Sequence, residues 1–129
     1  MPAASALRVL VVDDQLTIRS LVRAGLVAAG VSNVTDAPDG EEALKIMTTK
    51  PINLVISDFN MPKLDGLQFL RAIRACEPIK ATAFIMLTGR ADKDLVARAV
   101  QFGVNNYLVE PFSNAQLKEK IEGVFGPLT

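Results

Sequence analysis

Five residues in this chain have types and positions that could do chemistry together: Asp13, Asp14, Asp58, Thr88 and Glu110. Each ends or closely follows a short apolar run, such as Leu10-Val11-Val12 before Asp13 and Leu54-Val55-Ile56 before Ser57-Asp58. Apolar residues that are consecutive rather than alternating mark strands buried on both faces. Where such strands run parallel in an open sheet, their carboxyl ends share one edge, and ligands bind there. The spacing therefore predicts three or four carboxylates as neighbours. Two unit charges about 4 Å apart repel by about 4 kcal/mol at an effective dielectric of about 20. A divalent cation relieves that repulsion, and an all-oxygen donor set suits magnesium or calcium. A carboxylate held beside such an ion can attack phosphorus as a nucleophile. The Thr88 hydroxyl could then donate to a phosphoryl oxygen.

The elements that must hold these residues alternate along the chain. A strand over residues 7–12 leads to a helix whose apolar residues Ile18, Leu21, Val22, Leu26 and Ala29 recur at spacings of three and four. Gly30 stops that helix. A strand over 34–37 precedes Asp39-Gly40-Glu41-Glu42, a capping-box pattern. It opens a helix with Ala43, Leu44 and Met47 inward, closed by Lys50-Pro51. After the central strand, Met61-Pro62 prevents extension and Asp65-Gly66 marks a turn, with Gly66 expected at positive φ. A third helix is predicted over about 67–76, with Leu67, Leu70 and Ile73 inward and Cys76 as an apolar filler at its end. A fourth strand over 83–87 and a helix beginning at Asp92-Lys93-Asp94 follow; Leu95, Val96, Ala99 and Val100 form that helix's apolar strip. A fifth strand spans 106–109. Ser113-Asn114-Ala115-Gln116 is a second capping box, and the last helix buries Leu117, Ile121, Val124 and Phe125. Strand and helix thus alternate five times, which implies a parallel sheet with helices on both faces. No linker or second domain interrupts the pattern, so the expectation is one domain over 1–129 with a core at about 7–125.

Composition narrows the chemistry. The 129 residues are half hydrophobic and carry a formal net charge of zero, which argues against a nucleic-acid binder. There is no histidine, so Ser-His and Cys-His catalysis and histidine metal sites are excluded. One cysteine forms no internal disulfide. The first residues lack the basic and apolar regions of a signal peptide, no run could span a membrane, and the cytoplasm is the expected compartment.

With Val11-Val12-Asp13-Asp14, Asp58-Phe59-Asn60-Met61-Pro62, Asp65-Gly66, Leu87-Thr88-Gly89 and Pro111-Phe112 in place, the chain resembles a two-component response-regulator receiver domain of the single-domain, chemotaxis-regulator type. The resemblance covers essentially the whole length. It implies a doubly wound, flavodoxin-like five-stranded sheet of order 2-1-3-4-5. It implies that Asp58 accepts a phosphoryl group. It gives Asp13, Asp14, Asp58 and the backbone carbonyl of Asn60 as ligands of Mg2+ or Mn2+, Thr88 as the switch hydroxyl and Tyr107 as the ring whose rotamer follows the switch. The phosphodonor would be a histidine kinase or a histidine phosphotransfer protein. A downstream protein target would be engaged through the fourth helix, fifth strand and fifth helix. The domain would be a regulator, not an enzyme, acting at most on its own phosphoryl group.

One position departs from the family. A lysine normally precedes the proline after the fifth strand, and here that residue is Glu110. The exchange alters the local charge by two units. Glu110 could turn outward, join the metal site, or leave a cation from elsewhere to replace the lysine. Arg90 and Lys63 are the phosphate-contact candidates for that replacement. Three competing functions follow from the same residues. A phosphorylation-independent interaction module draws on Glu110. A metal-dependent phosphatase lacks a second acid, because Asn60 occupies its place. A flavin-binding domain is disfavoured by the acidic, glycine-free turn Asp13-Asp14-Gln15-Leu16-Thr17.

Overall fold

A computed structural model describes residues 3–89 and 93–129. Five strands, β1 (Arg8–Val12), β2 (Asn33–Ala37), β3 (Leu54–Asp58), β4 (Ala83–Thr88) and β5 (Asn106–Val109), alternate with five helices, α1 (Leu16–Ala28), α2 (Gly40–Thr49), α3 (Gly66–Arg74), α4 (Lys93–Gln101) and α5 (Asn114–Phe125). The strands are all parallel, in the order β2-β1-β3-β4-β5. The expected architecture is therefore the observed one.

The sheet separates two apolar layers because successive strand residues point to opposite faces. Val9, Val11, Leu54, Ile56, Ile85 and Leu87 pack under α1 and α5 with Leu26, Leu117 and Ile121. Leu10, Val12, Val55, Phe84 and Met86 pack under α2, α3 and α4 with Leu70 and Ile73. The side chains of β4 are buried along its whole length, as its unbroken apolar run demands. Among the described residues no helix is long and apolar enough to cross a membrane.

Helix ends follow their sequence signals, with corrections. Gly30, Gly103 and Gly126 adopt positive φ at the helix stops. The Ser113–Gln116 capping box is complete. At Asp39 only half forms: its side chain accepts from the Glu42 N–H. A complete box that the sequence reading missed joins Asp65 and Gln68 at the start of α3. That helix ends at Arg74, earlier than expected. The Arg74 guanidinium turns to donate to the carbonyls of Thr82 (2.6 Å) and Gly103 (2.8 Å), tying the helix end to β4 and the loop before β5. Two apolar residues of the helical patterns are exposed, Leu21 at 60% and Val100 at 62%. Each lies one residue, about 100° of helix rotation, from a buried neighbour, Val22 or Ala99. The expected start of α4 at Asp92 lies outside the described residues.

Candidate functional site

The sheet order makes β1 and β3 central neighbours, and their register aligns Val12 with Ser57. The next residue of each strand is then Asp13 or Asp58. A hydrogen bond from the Asp13 N–H to the Ala37 carbonyl (3.2 Å) holds the end of β1 to β2. Arg19 of α1 fixes the turn from within. Its Nη1 donates to the Asp13 carbonyl at 2.6 Å and its Nε to Asp36 Oδ2 at 3.2 Å. Beyond β3, the Gly66 N–H donates to the Phe59 carbonyl at 2.8 Å and folds the loop back.

Gly66 corrects a sequence expectation. It does not take positive φ. It is needed because a Cβ there would lie 2.6 Å from the Asp58 carbonyl oxygen and 2.8 Å from Phe59 Cα. The start of α3 presses against the end of β3, and only a missing side chain allows it.

Asp13, Asp14 and Asp58 each bring a carboxylate oxygen within 4.8 Å of the other two. Asp13 is 1% exposed. Its Oδ1 accepts the Gln15 N–H at 2.8 Å, while its buried Oδ2 has no hydrogen-bond partner. Burial, with the charges of Asp58 and Asp14 adding to it, pushes the Asp13 carboxyl up from 3.8 to about 6. Asp58 is half-buried and also raised to about 6, first by burial and next by the charge of Glu110; backbone N–H groups of Phe59 and Asn60 pull the other way. A buried, unpartnered carboxylate oxygen facing further carboxylates is what a hard divalent cation requires, so the donor set fits Mg2+ or Mn2+.

These groups open into a cleft of about 290 Å³ lined by Asp13, Asp14, Gln15, Ile18, Asp58, Asn60, Gly89 and Glu110. Glu110 thus faces the site rather than solvent alone, although it is not one of the three clustered carboxylates. Its carboxyl is also raised, by burial and then by the charge of Asp13. Its N–H donates to the Thr88 carbonyl at 2.8 Å, which anchors the backbone at the end of β5 to β4. Among the described residues no lysine or arginine lines the cleft. Arg90 lies outside the described residues. Lys63 is turned elsewhere: its ammonium sits 3.7 Å from both Asp39 Oδ2 and Glu41 Oε2.

Thr88 is buried at the end of β4, next to Val109 in the register. Tyr107 is half-buried beside Met86 on the same face of the sheet as Thr88. Lys120 Nζ lies 4.9 Å from its ring centroid. The Arg19–Asp36 clamp escaped the sequence reading. The arginine six residues after Asp13 was available as a signal, but its acidic partner lies on β2, whose pairing no local pattern shows.

A sequence model of the response regulator receiver domain matches residues 9–122. A protein of Rhizobium etli named probable chemotaxis protein CheY is 50% identical over 128 residues, which cover 99% of each chain. The solved structure of the Vibrio cholerae chemotaxis response regulator CheY4 is similar with a TM-score of 0.85 at 34% identity, over 92% of this chain and 98% of that one. The receiver domain of a Pseudomonas aeruginosa sensor histidine kinase, solved with a magnesium ion coordinated in its active-site cleft, gives a TM-score of 0.83 at 29% identity, over 94% and 98%.

Proposed function

The chain belongs to the response-regulator receiver family, and on that premise we propose that it is a phosphorylation-dependent signalling switch with Asp58 as its phosphoacceptor. The observation that carries this reading is the clustering of a carboxylate oxygen from each of Asp13, Asp14 and Asp58 within 4.8 Å of one another, with Asp13 buried and its Oδ2 unpartnered. Asp13, Asp14, Asp58 and the Asn60 carbonyl would hold Mg2+ or Mn2+. The bound ion supplies charge neutralisation for an incoming phosphoryl group.

The donor is a phosphohistidine on a histidine kinase or phosphotransfer protein. An Asp58 carboxylate oxygen attacks phosphorus, the O–P bond forms and the P–N bond breaks. The imidazole leaves with the electron pair and takes up a proton from water. The N–H groups of Phe59 and Asn60 favour the ionised form of Asp58 that makes that attack. Thr88 then meets a phosphoryl oxygen with its hydroxyl, and Tyr107, on the same face, carries the change to the surface of α4, β5 and α5. The relatives named as chemotaxis proteins make control of motility through a downstream protein target the favoured output. The working unit is a single domain over about 7–125.

Incubation with acetyl phosphate and Mg2+, followed by intact mass measurement, tests this. The expected result is one phosphoryl adduct that is lost in Asp58→Ala and on chelation. An adduct that survives Asp58→Ala would refute the assignment. Glu110 facing Asp58 favours one alternative, an interaction module that works without phosphate; absence of any adduct on the wild type would select it.

A further inference from the structure

The main chain of Asp13 is held on both sides. Its N–H donates to the Ala37 carbonyl at 3.2 Å, and its carbonyl accepts from Arg19 Nη1 at 2.6 Å. Its Oδ1 accepts the Gln15 N–H at 2.8 Å, while Oδ2 has no partner among the described residues. The carbonyl belongs to the planar peptide group that joins Asp13 to Asp14. Whatever fixes that carbonyl therefore helps to set the directions of two of the three clustered carboxylates. Arg19 fixes it with a short, charge-assisted bond, stronger than one from a neutral donor.

Arg19 is itself held. Its side chain is 16% exposed, and its Nε donates to Asp36 Oδ2 at 3.2 Å. The two bonds use different nitrogens of one rigid planar group, so Asp36 on β2 sets the plane in which Nη1 meets the Asp13 carbonyl. Arg23, one turn later on α1, is the contrast. It donates to the Val34 carbonyl at 3.2 Å and lies 3.6 Å from Asp36 Oδ1, so both of these contacts are with β2. The two arginines separate a tie between helix and sheet from a grip on the acidic turn.

We propose that Arg19 is a positioning residue of the cation site: held by Asp36, it locks the peptide between Asp13 and Asp14 in the orientation that a small octahedral ion needs. The proposal rests on the reading of Asp13 and Asp14 as cation ligands. Mg2+ demands near-ideal octahedral geometry at about 2.0–2.1 Å, whereas Ca2+ takes about six to eight oxygens at about 2.3–2.6 Å in flexible arrangements. Loosening the peptide therefore costs Mg2+ more than Ca2+. Charge alone gives the opposite sign of effect on affinity. Removing a guanidinium beside an acidic site makes any divalent cation bind more tightly. Removing a group that holds a metal ligand in place weakens binding, commonly by about 10–100-fold.

Calorimetric titration of the full chain with Mn2+, with Mg2+ and Ca2+ as competitors, tests this, and urea unfolding in chelator shows that each variant is folded. Arg19→Met should bind Mn2+ about tenfold more weakly than wild type, and its Mg2+ affinity should fall by a larger factor than its Ca2+ affinity. Arg19→Met/Asp36→Asn, which leaves the net charge unchanged, should show the same loss. Arg23→Met should bind Mn2+ no more weakly than wild type. Arg19→Lys keeps the charge without the planar fork; it should also weaken Mn2+ binding, and it carries the test if Arg19→Met does not fold. Unchanged or tighter Mn2+ binding in the folded Arg19 variants overturns the proposal. So does an equal loss in Arg23→Met, which would reduce Arg19 to a tie between helix and sheet. Equal losses of Mg2+ and Ca2+ affinity would overturn its geometric basis. No Mn2+ binding by the wild type, or binding that survives Asp13→Asn, overturns the reading of the site itself.

Discussion

Asp13 is the residue whose structure and function pull hardest against each other. Its carboxylate is buried with one oxygen unpartnered, and its raised pKa of about 6 expresses the resulting destabilisation at neutral pH. Asp13→Asn should therefore stabilise the cation-free protein at pH 7, by about 2 kcal/mol at the scale of 1.4 kcal/mol per pKa unit. On the proposed reading of Asp13 as a cation ligand, the same change should weaken Mn2+ binding by about tenfold or more. Urea denaturation in chelator and calorimetric titration read the two effects separately. A residue kept only for packing would lose stability on substitution, so a destabilised Asn variant would deny Asp13 its role. The aspartates were legible in the sequence because a charge ending an apolar strand has few places to go. Gly66 was misread for a related reason: its requirement comes from the backbone of Asp58 and Phe59, and a dipeptide such as Asp65-Gly66 looks the same whether φ or space is limiting.

At the scale of elements, the site depends on α3 starting hard against the end of β3. Gly66→Ala drives a methyl group into the Asp58 carbonyl oxygen at 2.6 Å, where backbone, not a flexible side chain, must yield. Overpacking of this kind costs about 1–3 kcal/mol. The displaced strand end should also lower Mn2+ affinity. Gly89→Ala is the matched control, because among the described residues nothing lies within 4 Å of a Cβ there and its φ is not positive. Its stability should stay within about 0.5 kcal/mol of wild type. Equal losses in the two variants, measured by urea midpoints, would show that the close approach does not matter. The contrast marks what periodicity can reveal. Alternation of apolar runs with helical spacing located all five strands and helices. It could not show that Leu21 would be exposed, since the helix edge left uncovered is set by where α5 docks, a contact nearly a hundred residues away.

For the whole molecule, the cleft couples global stability to pH and to cations together. The sheet order brings Asp13 and Asp58 together, although strand order is the part of the fold least readable from local sequence and came here from family likeness. Both carboxyls are raised from 3.8 to about 6 in the folded protein. Well below pH 4 both are protonated whether the chain is folded or not, and they take nothing from stability. As pH rises from about 4 to 6 the unfolded chain releases these protons first, and the folded state loses up to about 3 kcal/mol per independent carboxyl. Above about pH 6 the loss is complete. Because the two groups repel each other, removing one relieves part of the other. Asp58→Asn should therefore match wild type in chelator at pH 4 and exceed it by about 2 kcal/mol or more at pH 7.5. Mg2+ acts with the opposite pH trend. It binds the ionised site, adding about 2.7 kcal/mol at a hundredfold excess over its Kd, and this increment should fade as pH drops through 6. Urea unfolding of both proteins at pH 4, 5.5 and 7.5, with and without Mg2+, gives all these differences. An Asn-minus-wild-type difference that stays constant with pH would mean that these carboxyls are not strained in the fold. The chemistry assigned to the cleft would then lack its driving force.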